Sequence, residues 1–391
     1  MKSKNIGIVH NTYLLMGGED LVAENEYNLL KEQNLNVFFL KFQNPENTVV
    51  QFIGFLFSFF NLISFFKCIN WLKKNKIEVM HVHNWFYLAS PSIFWAAKFC
   101  KVPIVLTLHN YRLIYPSGVL SHDSDTYLKN LSSPFPWDAI NDRVYRNSRI
   151  LTFILAFTVW INKKVGTWKL IDQYIILTEQ SKEIFQKSSF HIEPQKFKVK
   201  PNFVIRASER KQCVQQEHFL YVGRLSQEKG VDFLLEAFSD STYKLKIIGD
   251  GPLQSRVEKF VANNPNVSYL GFQNREAIER ELSLCSAVIF PSICSETFGL
   301  VIIEAFASST PVIASSIGGS GSIVKDQFNG LHFEKSNLSD LRSKLKFWTS
   351  LDDSEKARYR TNAYNDYLQN YSPKTNIEQL LQIYQSTSGQ N

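Results

Sequence analysis

At 391 residues the chain exceeds what one ordinary hydrophobic core supports, which implies two domains or three. Hydrophobic residues at 44% and charged residues at 20% exclude a disordered chain. The five cysteines (Cys68, Cys100, Cys213, Cys285, Cys294) are scattered without a C-x-x-C pair, which excludes a disulfide framework or thiolate zinc site and suits a reducing cytoplasm. The net charge of +7 is uneven: residues 1–202 carry 23 Lys+Arg against 15 Asp+Glu, residues 203–391 carry 20 against 21. A basic first half fits either an anionic partner or a solvated basic surface.

The opening "MKSKNIGIVHNTY" has too short an apolar run to read as a signal peptide. From there, short β-branched and aromatic runs alternate with helical patterns, the signature of βαβ units and parallel sheets. Strands are expected at 5–10, 36–42, 79–83, 104–109 and 174–178, then at 218–224, 243–250, 267–272, 287–292 and 311–315. The polar stretch 191–217 reads as a hinge, giving domains at 1–202 and 203–371. Two doubly wound sheets facing a cleft follow, with ligands off the carboxyl ends of the strands.

Two aromatic-rich stretches interrupt this pattern: "FIGFLFSFFNLISFF" at 52–66 and "ILTFILAFTVWI" at 150–161. Both fall short of the roughly 20 residues a membrane span needs. If 52–66 is one helix, Ser58, Asn61 and Ser64 form a narrow polar stripe on it. Burial in a core, a helix at a membrane interface beside Lys67, Lys73, Lys74 and Lys76, and a true span all remain open.

Charged and glycine residues gather at the strand ends. Gly17-Gly18 opens a helix after the first strand, either as a plain turn or as a cradle of free N–H groups for an anion. His109 ends the fourth strand near Arg112, where a histidine is structural or donates to a phosphate or sugar. In "GRLSQEKG" Arg224 leaves a strand and Lys229 precedes a helix. This pairing of flat fork and point charge suits a diphosphate. "IIGDGP" is ordinary turn chemistry. In "SETFGLVIIEA" Glu296 lies in a loop, Gly299 caps a helix, and Glu304 sits about a turn into it. Each carboxylate can accept from adjacent sugar hydroxyls, with an anion on the helix end between them. "HDSD" supplies Asp123 and Asp125, a D-x-D expected to arise by chance and hold no metal.

Together "GGED", "LTLHNYRLIYPSG", "VKPNFV", "GRLSQEKG", "IIGDGP" and the E-x7-E of Glu296 and Glu304 resemble the family 4 glycosyltransferases along nearly the whole chain. Such enzymes have the GT-B fold of two facing Rossmann-like domains. The resemblance implies retaining transfer of a hexose from a nucleotide-sugar, weighted towards UDP, to a glycan or lipid-linked acceptor in envelope, capsular or exopolysaccharide synthesis. It implies no cofactor, no metal and no nucleic acid. The scattered cysteines point to a cytoplasmic protein, and the basic, aromatic-rich first half to an anionic membrane surface as a further partner. Gly17, Gly18 and His109 then approach the donor's phosphate and sugar. Arg224 and Lys229 bind the diphosphate, Glu296 the sugar and Glu304 the ribose, with backbone contacts from Phe298, Gly299 and Leu300. The last helix, 375–386, is expected to cross back onto the first domain. Ser322 stands where relatives usually carry a glutamate. The rival reading is a non-catalytic membrane-surface scaffold of the same fold, told apart by failure to bind any nucleotide-sugar.

Overall fold

The computed structural model describes residues 4–12, 17–44, 47–121, 131–206 and 216–388. Residues 1–201 with 376–391 form one compact unit, and residues 202–375 a second. All ten strands expected from the sequence form, in two six-stranded sheets.

In the first unit β1 (Asn5–Thr12), β2 (Asn36–Gln43), β3 (Val79–Asn84), β4 (Ile104–Leu108), β5 (Gln173–Ile176) and β6 (Phe197–Val199) pair in parallel, in the order β2-β1-β3-β4-β5-β6. β3 and β4 are buried along their whole length, as strands covered by helices on both faces must be. The chain direction across the sheet reverses between β1 and β3. There Asn84 Nδ2 donates to the Asn11 carbonyl at 2.8 Å, while Asn11 Oδ1 accepts from the backbone of Leu88 and Ala89 at 3.0 and 3.1 Å.

The second unit runs β7 (His218–Val222), β8 (Lys244–Ile248), β9 (Val267–Tyr269), β10 (Ala287–Phe290), β11 (Val312–Ser315) and β12 (Gly330–Phe333), in the order β9-β8-β7-β10-β11-β12. Its switch point lies between β7 and β10, which places the loops after those two strands side by side.

Two strands of the six-stranded sheets escaped the sequence reading. β6 lies inside the supposed hinge, where three residues between Pro194 and Pro201 show too little alternation to register. β12 reads "GLHF", without a β-branched residue. Its Gly330 meets β11 so closely that a Cβ would lie 2.1 Å from the Val312 carbonyl oxygen.

After α1 (Gly18–Glu32), the stretch 52–66 is two helices rather than one: α2 (Thr48–Leu56) and α3 (Leu62–Lys74), bent by 75° about residues 57–61. The polar stripe faces inward, with Ser58 and Ser64 buried, while Phe57, Leu62, Ile63 and Phe66 are exposed. No single described helix is long and apolar enough to cross a membrane.

A buried ion pair ties the first unit together. Glu26, on the helix following β1, meets Lys200 Nζ at 2.6 Å, with both side chains 1% exposed. Lys200 follows β6 in "VKPNFV", 174 residues away. The C-terminal helix Pro373–Ser388 joins the same network, because Tyr384 hydrogen-bonds His81 Nδ1 at 2.7 Å. Removing one partner leaves a buried, uncompensated charge. Lys200→Met should therefore destabilise the first unit by about 3–5 kcal/mol in urea titration, and Glu26→Gln added to it should recover part of the loss. A single mutant as stable as wild type would show that the pair is dispensable.

Candidate functional site

The loops after β7 and β10 meet at the switch point of the second unit. β7 ends at Val222, and the chain continues through the exposed Arg224 to a short turn at Gln227–Lys229. Gly230 follows with φ +70°, and a Cβ there would lie 1.9 Å from the Pro291 carbonyl oxygen. Only glycine permits this approach. It brings Lys229 Nζ to 2.7 Å from Glu296 Oε2, while Ser292 Oγ donates to Glu296 Oε1 at 2.6 Å. Ser292 Oγ also lies 3.1 Å from the Glu228 carbonyl, and the Ile293 N–H donates to that same carbonyl at 3.1 Å. Glu296 is therefore fixed at both oxygens.

Burial works against the Lys229 ammonium, but the adjacent Glu296 carboxylate outweighs it and holds the pKa above its ordinary value. Lys229 stays cationic. No described residue pairs with the Arg224 guanidinium.

Behind Glu296 a glycine pair carries its loop. Gly318 (φ +54°) would place a Cβ 2.7 Å from the Glu296 nitrogen, and Gly319 would place one 2.6 Å from the Phe298 Cα. The Gly319 N–H donates to the Glu296 carbonyl at 2.6 Å. Phe298 is buried against Tyr371, and Gly299 caps the helix Leu300–Ala307. Glu304 lies in that helix, half-buried. Burial raises its pKa, opposed by Arg275 and reinforced by Glu279. No described side chain hydrogen-bonds its carboxylate, so it keeps acceptor capacity for two hydroxyls. The second unit thus brings Lys229 and Glu296 into direct contact, with Phe298, Gly299 and Leu300 following Glu296 in the chain and Arg224 and Glu304 on the elements that flank them.

In the first unit Gly17 is the N-cap of the helix Gly18–Glu32, and its N–H donates to Asp20 Oδ2 at 2.7 Å. Asp20 Oδ1 in turn lies 2.7 Å from His10 Nε2. Asn110 Nδ2 donates to Glu19 Oε2 at 3.3 Å, which ties the helix start to the loop after β4 that carries His109. His109 Nε2 lies 3.0 Å from His83 Nδ1, the two rings stacked at 5.3 Å. Gly17, Gly18 and His109 are thus on neighbouring elements of the first unit, whereas Arg224, Lys229 and the two glutamates belong to the second.

Glu26, His81 and His83 converge closely enough to suit a metal ion. Protein groups already occupy most of their ligand atoms. His81 contacts Tyr384 and Thr107 at 2.7 Å each, and Lys200 neutralises Glu26. Burial, first, and then the neighbouring histidines push the pKa of His109 well below its ordinary value; burial lowers that of His81 and His83 too. Burial opposes the Glu26 carboxylate, yet Lys200 and His83 hold its pKa well below the ordinary range.

Sequence reading missed His10, Asp20, Glu26, His81, His83, Ser292, Gly318 and Gly319. The alternation of "VMHVH" puts both histidines of β3 on one face, a signal available in advance. Nothing local ties Glu26 to Lys200. Asp123, Asp125 and Cys213 lie outside the described residues.

Residues 206–366 match the family described as glycosyl transferases group 1. An uncharacterized glycosyltransferase of Methanocaldococcus jannaschii is 43% identical over 129 residues, covering 32% of this chain and 36% of that relative. The matched stretch thus spans about a third of the relative's length. The alpha-monoglucosyldiacylglycerol synthase of Acholeplasma laidlawii is 26% identical over 290 residues, 71% of this chain and 68% of that one. Among solved structures, Anabaena Alr3699/HepE in complex with UDP superposes with a TM-score of 0.66 at 18% identity, covering 98% of this chain and 100% of that one. The two six-stranded parallel sheets with flanking helices have the GT-B fold.

The three depressed histidines give the first unit a pH dependence. A folded pKa below the unfolded value near 6.5 contributes stability above that value, and the contribution is lost as pH falls. Between about pH 7 and pH 5 the unfolding free energy of the first unit should drop by up to about 1.4 kcal/mol per pH unit for each histidine. Denaturant titrations across that window should show a shallower slope for His81→Asn. A wild-type curve flat across the window would contradict the neutral-histidine assignment.

Proposed function

We propose that the chain is a retaining glycosyltransferase of family 4 type that moves a hexose from a UDP-sugar to a glycan or lipid-linked acceptor. The setting is envelope, capsular or exopolysaccharide synthesis at the cytoplasmic face of a membrane. The observation that carries this reading is the cluster at the second unit's switch point: Lys229 on Glu296 at 2.7 Å, beside the exposed Arg224 and a helix bearing Glu304. The match of 206–366 to glycosyl transferases group 1 and the UDP complex of Anabaena Alr3699/HepE support it.

In this reading the Arg224 fork and the Lys229 ammonium neutralise the diphosphate as it leaves, the step where most charge develops. Lys229 is suited to it because Glu296 keeps it protonated. Glu304 accepts from the two ribose hydroxyls, which restore the hydrogen bonds its burial removes. Glu296, already held by Ser292, orients the sugar ring, and the backbone of Phe298, Gly299 and Leu300 lines the approach. To His109 we assign a hydrogen bond to the donor's sugar or phosphate, made as a neutral imidazole, and to Gly17 and Gly18 a close backbone approach. The sugar departs as an oxocarbenium-like species, and the acceptor attacks the same face. Its proton passes to the leaving phosphate, so no protein nucleophile is used.

A thermal-shift screen of nucleotide-sugars should reveal a stabilising donor; none at all would favour the non-catalytic scaffold. Glu304→Ala should weaken the free nucleoside diphosphate and the intact donor alike, by about 2–3 kcal/mol. Glu296→Ala, which also takes away the partner of Lys229, should change diphosphate affinity far less than Glu304→Ala does while depressing turnover. Calorimetry beside transfer rates separates the two roles, and equal loss of diphosphate affinity in both mutants would refute the division.

A further inference from the structure

The two aromatic stretches, far apart in sequence, meet on one side of the first unit. Ser58 Oγ lies 2.9 Å from Thr158 Oγ1, and Asn162 Nδ2 donates to the Phe59 carbonyl at 3.0 Å. Every polar group of the α2–α3 bend turns inward: Ser64 Oγ and Asn61 Nδ2 donate to the Leu88 carbonyl at 2.7 and 3.2 Å. The apolar side chains turn outward, with Leu62 63%, Ile63 81% and Phe66 63% exposed. A helix facing water has the opposite polarity. Phe99, Trp137 and Ile150 extend the exposed face at 66%, 60% and 66%. Rings link it laterally, from Phe59 to Phe157 at 6.4 Å, to Phe153 at 6.1 Å and to Trp137 at 6.4 Å. Contiguous apolar surface of this kind marks an interaction site.

Its charge indicates the occupant. Residues 47–77 contain four lysines and no acid; residues 143–171 contain three arginines, three lysines and no acid. Two of these cations border rings of the face: Lys73 Nζ lies 5.5 Å from the Phe99 ring and Lys164 Nζ 5.9 Å from that of Trp160. Apolar side chains rimmed by unbalanced cations match the boundary of an anionic bilayer, where rings enter the acyl region and cations meet headgroups. A second copy of this chain would set the same cations against each other. Within the face lies a cavity of about 660 Å³, lined by Phe59, Phe60, Phe65, Trp95, Phe99 and Val165, with Lys98 among its walls. That volume falls in the range of small-molecule sites.

We propose that this face seats the protein in the interface of an anionic bilayer, with α2 and α3 lying in its plane and the cavity receiving one lipid chain. The inference deepens the membrane setting proposed above by naming the surface. It is tested without a sugar donor, so it stands or falls apart from sugar transfer.

Flotation with phosphatidylglycerol–phosphatidylcholine vesicles should carry the protein, phosphatidylcholine alone should carry less, and added salt should release it. The triple variant Leu62→Ser, Ile63→Ser, Phe66→Ser changes only exposed side chains, and its partitioning should fall more than about tenfold with the far-ultraviolet spectrum unchanged. Lipids brominated on the acyl chain should quench tryptophan fluorescence, and Trp95→Phe should remove part of that quenching. Equal partitioning of variant and wild type would overturn the docking face, as would a wild type that ignores both vesicles. A wild-type dimer that the triple variant dissolves would assign the face to a second copy instead. Quenching unchanged in Trp95→Phe would overturn the lipid chain in the cavity.

Discussion

A backbone contact too close for any side chain organises the second unit. Gly230 lies against the Pro291 carbonyl, and the positive φ of that glycine turns the chain from Lys229 into the next helix. The loop after β7 is thereby pressed on the loop after β10, and Lys229 and Glu296 can reach each other. Gly318 and Gly319 repeat the device from behind, meeting the backbone of residues 295–298 where a Cβ would collide. Gly249, at φ +139°, leans on the Gly223 carbonyl in the same way. The charged groups are thus held by main chain packed on main chain, the most rigid support a loop can have. Such a cluster needs little reorganisation when an anion arrives, which is where electrostatic stabilisation gains most.

The first unit solves a different problem. Its sheet carries two histidines on β3 and one just after β4, deep inside the unit, and burial keeps these three uncharged. Glu26, the carboxylate against His81 and His83, is balanced by Lys200 from the far end of the sheet. A pair joined across 174 residues forms only once the sheet is complete, and Tyr384 adds the C-terminal helix to the same condition. Polar groups this deep make the fold specific as well as stable, since each is costly when unpartnered.

Most of the fold was legible because parallel strands buried on both faces write themselves as nearly continuous apolar runs, as in "AVIF" and "IVLTL". The strands that escaped were the shortest or lacked β-branched residues. Lys229 and Glu296, which the structure brings together, were legible because charge beside glycine at a strand end has few structural uses. Ser292 and Gly318 were not, because their contacts depend on how β10 and β11 lie together. The sequence of 52–66 does not say which face is inside: a serine stripe can meet water or the core, and the bend at 57–61 turns it onto the core. Only the tertiary partners, Thr158 and Leu88, reveal which face is inside.

The central claim is that the second unit's switch point holds a nucleoside diphosphate between its cations and Glu304. A crystal structure with UDP bound tests it most directly. The account predicts the diphosphate against Arg224 and Lys229 and the ribose hydroxyls on Glu304, with the helix start at Leu300 facing the phosphates. UDP ordered elsewhere in the molecule, with Glu304 and Lys229 untouched, would contradict it.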